Sequence, residues 1–158
     1  MSIMNAMDAL SGALGSAFFT NDATKESYHL MELTEFEAKY TPTIVKVPIL
    51  GQINKGHKAV GGEITWSGTA HFNQSTFPKL MHEYQKTKVM PRFTLQISNH
   101  DDSTSVKTQT VILTGCLMES TVIAKLSTGD EFLTMDISGT AEGFELKDEF
   151  ADMKGRKL

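Results

Sequence analysis

Five histidines, a single cysteine and a pair of adjacent aspartates hold most of the reactive potential of this 158-residue chain. His29, His57, His71, His82 and His100 are scattered, and no two stand at a zinc-ligand spacing backed by cysteines or carboxylates. Asp101-Asp102 could attract a cation, but within the Ser/Thr-rich stretch 99–105 it reads as a solvated turn. Gly56, Gly61 and Gly62 lack the preceding strand and following helix that a phosphate-cradling loop requires. Ser67, Ser75 and Cys116 have no identifiable base and orienting partner at a recognisable spacing. These residues are not arranged for catalysis at a point, and neither a metal nor a cofactor is expected.

The polar residues that do keep a regular spacing lie along extended segments. In 63–73, Ile64, Trp66, Gly68, Ala70 and Phe72 fall on one face and Glu63, Thr65, Ser67, Thr69, His71 and Asn73 on the other. At about 3.4 Å per residue this strand reaches roughly 37 Å, more than a domain of this size needs to close its core. The same design recurs in 28–40, where Phe36, Ala38 and Tyr40 alternate with Glu35, Glu37 and Lys39. It recurs again in 131–143, where Leu133, Met135, Ile137, Gly139 and Ala141 alternate with Thr134, Asp136, Ser138, Thr140 and Glu142. A further long strand, 106–118, has mixed faces around Val111-Ile112-Leu113 and reads as covered on both sides. Shorter strands are expected at Ala17–Phe19 and Phe93–Ile97. A helix is expected over 76–87, capped by Ser75, with Pro78 in its first turn and Phe77, Leu80, Met81 and Tyr84 on one stripe.

About seven strands and one helix, without internal repeats or a dividing linker, predict a single mainly-β domain over 1–158. Its architecture is expected to be a two-sheet β-sandwich or partly open barrel with one packed α-helix. The lone cysteine precludes an internal disulfide and suits synthesis in a reducing compartment. A net charge of −4 argues against a protein that grips nucleic acid through phosphates. Neither a signal peptide nor a membrane span is expected. Residues 1–14 carry Ile3, Met7, Leu10 and Leu14 at helical spacing and read as an apolar arm. Residues 144–158 read as a charged, solvated tail. Residues 41–62, with Pro42, Pro48 and repeated glycines, read as a long irregular loop. Its Ile44, Val45, Val47, Ile49 and Leu50 are too apolar to stay solvated, so another chain is expected to cover them.

Gly56-His57-Lys58 with Gly61, Gly68-Thr69-Ala70 with Phe72, the Ser75-capped helix, Pro91 and Phe93-Thr94-Leu95-Gln96 occur in that order. In order and spacing they resemble the tail tube proteins of contractile-tailed phages, PBSX-like prophages and phage-tail-like bacteriocins. The resemblance runs from about Phe36 to Phe144. It is specific from 56 to 96, general in the last hairpin and the termini, and leaves 1–34 unmatched.

The resemblance implies a homo-oligomer of hexameric rings stacked into a tube, with sheath, baseplate and tape-measure proteins as partners. It places the protein in the virion tail, after synthesis in the bacterial host cytoplasm. Four long strands per subunit would enter one barrel, and about 24 strands spaced ~4.8 Å apart and tilted ~40° close a backbone circle roughly 48 Å across. The lumen would be lined by Glu35, Glu37, Lys39, Glu63, Thr65, Ser67, Thr69, His71, Thr134, Asp136, Ser138, Thr140 and Glu142. Such a wall is mostly acidic, and DNA would pass it without specific binding. Subunits would meet through Ile44, Val45, Val47, Ile49, Leu50 and Ile53, and through Ile3, Met7 and Leu10 of the arm. Two alternatives are a related ring, such as a secretion tube or tail terminator, and a monomeric β-sandwich that binds a small ligand.

Overall fold

The computed structural model describes residues 6–30, 32–104 and 106–150. Among these residues the strands are β1 (Gly15–Asn21), β2 (Ser27–His29), β3 (Leu33–Val47), β4 (Gly56–His71), β5 (Phe93–Asp101), β6 (Lys107–Ser120), β7 (Thr134–Ala141) and β8 (Gly143–Asp148), and the one α-helix is α1 (Thr76–Thr87). All pairings are antiparallel, in the order β2-β1-β5-β6-β7-β4-β3, with β8 also on β6. The path does not close on itself. It folds into a short sheet, holding β2, β1, β5, β8 and the first half of β6, and a long sheet, holding the end of β6 with β7, β4 and β3.

The fold between the sheets is made at one residue. Gly115 adopts φ +61°, a left-handed conformation that costs a residue with a Cβ more than it costs glycine. Opposite it the two steps from Phe93 to Leu95 span the three from Cys116 to Leu113, which is a β-bulge. The extra residue shifts which side chains face inward, from Leu113 to Cys116 and Met118. That shift is why 106–118 shows mixed faces in sequence. β7 and β8 bend alongside as one interrupted strand, with Thr114 opposite Gly143 and Leu117 opposite Thr140.

The core lies between the sheets. Trp66 stands edge-on to Phe93 with ring centres 5.8 Å apart and stacks with Phe36 at 6.1 Å. Its indole N–H donates to the Thr140 carbonyl at 3.1 Å, so its polar atom is satisfied. Gly139 leaves the space this ring occupies: a Cβ there would lie 2.1 Å from the Leu117 carbonyl and 2.5 Å from the indole. The expected inward residues Ile64, Ala70, Met135, Ile137, Phe93 and Leu95 are buried, and Phe72 and Ile97 pack partly against them. α1 occupies its expected span and buries Phe77 and Leu80, with Phe77 edge-on to Phe19 at 5.8 Å. Ser75 is its N-cap residue without a side-chain cap bond, and Tyr84 remains exposed.

Five expectations are corrected. Residues 41–62 are not an irregular loop: β3 and β4 run 15 and 16 residues and pair from Leu33/Ala70 out to Val47/Gly56, leaving only 48–55 as the connection. Pro42 is tolerated because β3 is an edge strand and the register shifts between Pro42 and Ile44. The span 28–40 is two strands, with β2 on the short sheet and β3 on the long one. The polar stretch at 99–101 continues β5, and the first part of the charged tail is β8, paired along β6. Finally, 131–133 precede β7 and are not strand.

Candidate functional site

The outward face of the long sheet gathers the polar residues in rows. Antiparallel register sets Glu35 beside Thr69 and Thr69 beside Asp136. It sets Glu37 beside Ser67, Ser67 beside Ser138, and Ser138 beside Ser120. It sets Lys39 beside Thr65 and Thr65 beside Thr140. Directly opposed residues in such a pair share a face, so each row crosses the sheet on one side. Thr69 donates its hydroxyl to Asp136 at 3.1 Å, and Lys39 meets Glu37 at 3.1 Å. Both partners of that ion pair are well exposed, so the pair sets local charge more than stability.

The remaining predicted residues sit at the margins. His71 and Thr134 oppose each other at one end of the face, and Glu63 opposes Thr41 toward the other. Glu142 stands at the break between β7 and β8, where its carboxylate pairs with Arg92 and lies over Gly115. Glu119 and Ser120, outside the polar rows expected from sequence, join the polar face beside Ser138. No sequence signal marked them: two bulges on β6, near Gly115 and between Met118 and Ser120, scramble the alternation that would have revealed them.

The second group of predicted residues lies beyond the sandwich. Ile44, Val45, Val47, Ile49, Leu50 and Ile53 are all exposed on the outer half of the β3–β4 hairpin. Met7 and Leu10 are exposed as well, in a segment with short 3-10 turns at Ala6–Asp8 and Gly12–Leu14, and Ile3 lies outside the described residues. This segment is anchored at Ser11, whose N–H donates to the Asp101 carboxylate at 3.1 Å. Asp101 also accepts the Ser103 hydroxyl at 2.6 Å and the Ser103 N–H at 3.0 Å. The Ser103 hydroxyl and these two N–H groups hold its carboxyl below the usual carboxylate range.

Nothing on the polar face converges on a reacting atom. Among the described residues no group of three or more His, Cys, Asp or Glu is placed to hold a metal ion. Cys116 is buried, and burial pushes its thiol up to about 12, far from the thiolate a nucleophile needs. No described helix is long and apolar enough to cross a membrane.

An open two-sheet subunit with one wide polar face and a projecting apolar hairpin has the surfaces of a building block. Comparison with known proteins agrees: residues 2–148 match the family described as "Phage tail tube protein", and the chain belongs to that family. It is a structural subunit of a phage tail tube or a related phage-tail-like particle, as the motif resemblance implied. It is 29% identical over 149 residues to the phage-like element PBSX protein XkdM of Bacillus subtilis (strain 168), covering 94% of this chain and 97% of that protein. The uncharacterized protein YqbM of the same organism is 28% identical over 146 residues, covering 92% and 95%.

Solved structures share the fold at low identity. A chain in the anti-feeding prophage baseplate superposes with a TM-score of 0.68 at 11% identity, covering 92% of this chain and 97% of that one. The SPP1 tail tube gives 0.62 at 11% identity, covering 90% and 81%.

Proposed function

We propose that this protein forms hexameric rings that stack into the tube of a contractile tail, with the polar face of the long sheet turned to the lumen. The observation that carries the reading is the pair of unpaired edges on that sheet: among the described residues β3 pairs only with β4, and from Leu117 onward β6 pairs only with β7. Such edges invite pairing with another chain, and joining β3 of one copy to β6 of the next removes both liabilities. Six-fold symmetry is supported by a gene transfer agent tail with C6 symmetry and by the six-fold symmetrised anti-feeding prophage baseplate, which share the fold. A contractile setting is supported by the sheath-tube complex of an extracellular contractile injection system, TM-score 0.66.

On this reading Glu35, Glu37, Glu63, Glu119 and Asp136 give the lumen a net negative wall, offset by Lys39. Thr65, Ser67, Thr69, Ser138 and Thr140 keep it hydrated, so a nucleic acid slides past without being held. Sheath, baseplate and tape-measure proteins complete the particle, and the chain is made in the host cytoplasm before assembly.

Electron microscopy of the purified protein at high concentration tests this. The expected end-on view is a six-fold ring with an opening on the order of 40 Å. A protein that stays monomeric at every concentration overturns the reading. A ring that caps a tube is the second reading, because a sheath/tube terminator shares the fold with a TM-score of 0.65. It predicts single rings where the tube reading predicts stacks.

A further inference from the structure

The two ends of the long sheet expose different apolar patches. At one end the connection after β3 presents Leu50 and Ile53 at 103% and 100% exposure, beside a half-exposed Ile49 whose side chain lies over Gly56. At the other end, where His71 opposes Thr134, the β6–β7 loop presents Leu126, Phe132 and Ile123 at 98%, 73% and 72%. That loop is moored to the body, with the Phe72 N–H donating to the Leu133 carbonyl at 2.9 Å and Lys125 donating to the Thr134 carbonyl at 2.8 Å. Apolar side chains this exposed, on segments tied into the fold, are characteristic of surfaces that another molecule covers.

The two ends also differ in charge. The hairpin from 41 to 62 carries Lys46, Lys55 and Lys58 and no carboxylate. The loop carries Asp130 and Glu131, both exposed, while its one cation, Lys125, is engaged by the Thr134 carbonyl. A basic apolar tip and an acidic apolar loop complement each other, and neither complements itself.

We infer that the β6–β7 loop is the socket for the hairpin tip of the copy in the next ring, with Leu50 and Ile53 seated on Leu126, Phe132 and Ile123. The contact joins unlike patches at opposite ends of one sheet. It is therefore heterologous, and along an axis it propagates without closing, which gives the stack a single polarity. This deepens the tube reading and rests on it: edge pairing between β3 and β6 makes the ring, and tip-in-socket contact joins ring to ring.

Cysteine cross-linking reads the contact directly, because the native Cys116 is buried. Leu50→Cys and Leu126→Cys chains are purified separately, assembled alone or mixed, and oxidised. Disulfide-linked dimers are expected in the mixture and in neither preparation alone. Stacks that form without a link in the mixture, or dimers in Leu50→Cys alone, overturn the socket while leaving the ring intact. If the wild-type chain forms no rings, the tube reading falls and the socket with it.

Charge reversal is an independent arm that leaves the apolar residues in place. Reversing Lys55 and Lys58 to Glu, or Asp130 and Glu131 to Lys, should each raise the concentration needed for stacking by on the order of tenfold while rings persist. Combining the two sets should restore stacking. Failure of the combination to do better than either set alone overturns the inference.

Discussion

The inner and outer halves of the β3–β4 hairpin share one backbone ladder and differ in almost everything else. From 33 to 40 and 63 to 71 the inward side chains meet the short sheet: Ile64, Trp66 and Ala70 are buried, and Phe36 packs against Trp66. From 41 to 62 the chain covers almost nothing, and every residue except Gly56 is exposed. Both halves are rich in apolar residues, so composition does not separate them; the presence of a facing layer does. The inner half uses its apolar residues to fold one subunit, and the outer half keeps its own for contacts between subunits.

Substitutions in the two halves should therefore separate stability from assembly. The largest loss is expected for Trp66→Ala, which empties the centre of the core and should cost about 3–5 kcal/mol in denaturant unfolding of the monomer. A cost near zero would mean that the sandwich does not pack around this ring.

The N-terminal segment lies between the two cases: residues 9–14 are exposed, and Ser11 ties them to Asp101. In the folded protein the Asp101 carboxyl titrates below its unfolded value. Its stabilising effect is therefore complete above the ordinary carboxylate pKa of about 4 and is lost as pH falls through the folded value. Asp101→Asn should be less stable than wild type at neutral pH. The gap should close on acidification, as read by thermal melts across a pH series, and an equal gap at all pH values would remove Asp101 as the anchor.

The smallest effect on stability is expected for Ile49→Asp, within about 0.5 kcal/mol, because Ile49 is exposed and lies outside the core. The same change should block assembly, as followed by sedimentation. A large stability loss there would erase the distinction between the two halves.

Period-two alternation made the inner half legible. In β4 and β7 one face is apolar without exception through 64–70 and 135–141, and the structure places those faces on the core. The helix was equally clear, because Pro78 and the Phe77-Leu80-Met81 stripe agree on phase. The outer half reads as loop in sequence because proline and glycine count against strands in isolation. Here Pro42 borders a register shift and Gly61, whose φ is +143°, lies within it, so the ladder slips without the hairpin ending.

β8 was hidden differently. Phe144 and Leu146 alternate with Glu145 and Lys147, but an edge strand needs little apolar content, and the charge suggested a tail. The lumen-facing part of β6 lay beyond local reading, since its parity depends on the bulge at Gly115 and therefore on tertiary pairing with β5.

The unbroken course of β4 has a mechanical consequence. A single covalent strand runs from Gly56 beside the hairpin tip to His71 beside the β6–β7 loop, passing through Trp66 on the way. Tension applied at the tip along this direction loads the ladders to β3 and β7 in shear, so many backbone hydrogen bonds resist together. Peeling one strand from the sheet would instead break those bonds in turn. A hairpin continuous with the core can therefore carry axial load from one subunit to the next without a hinge.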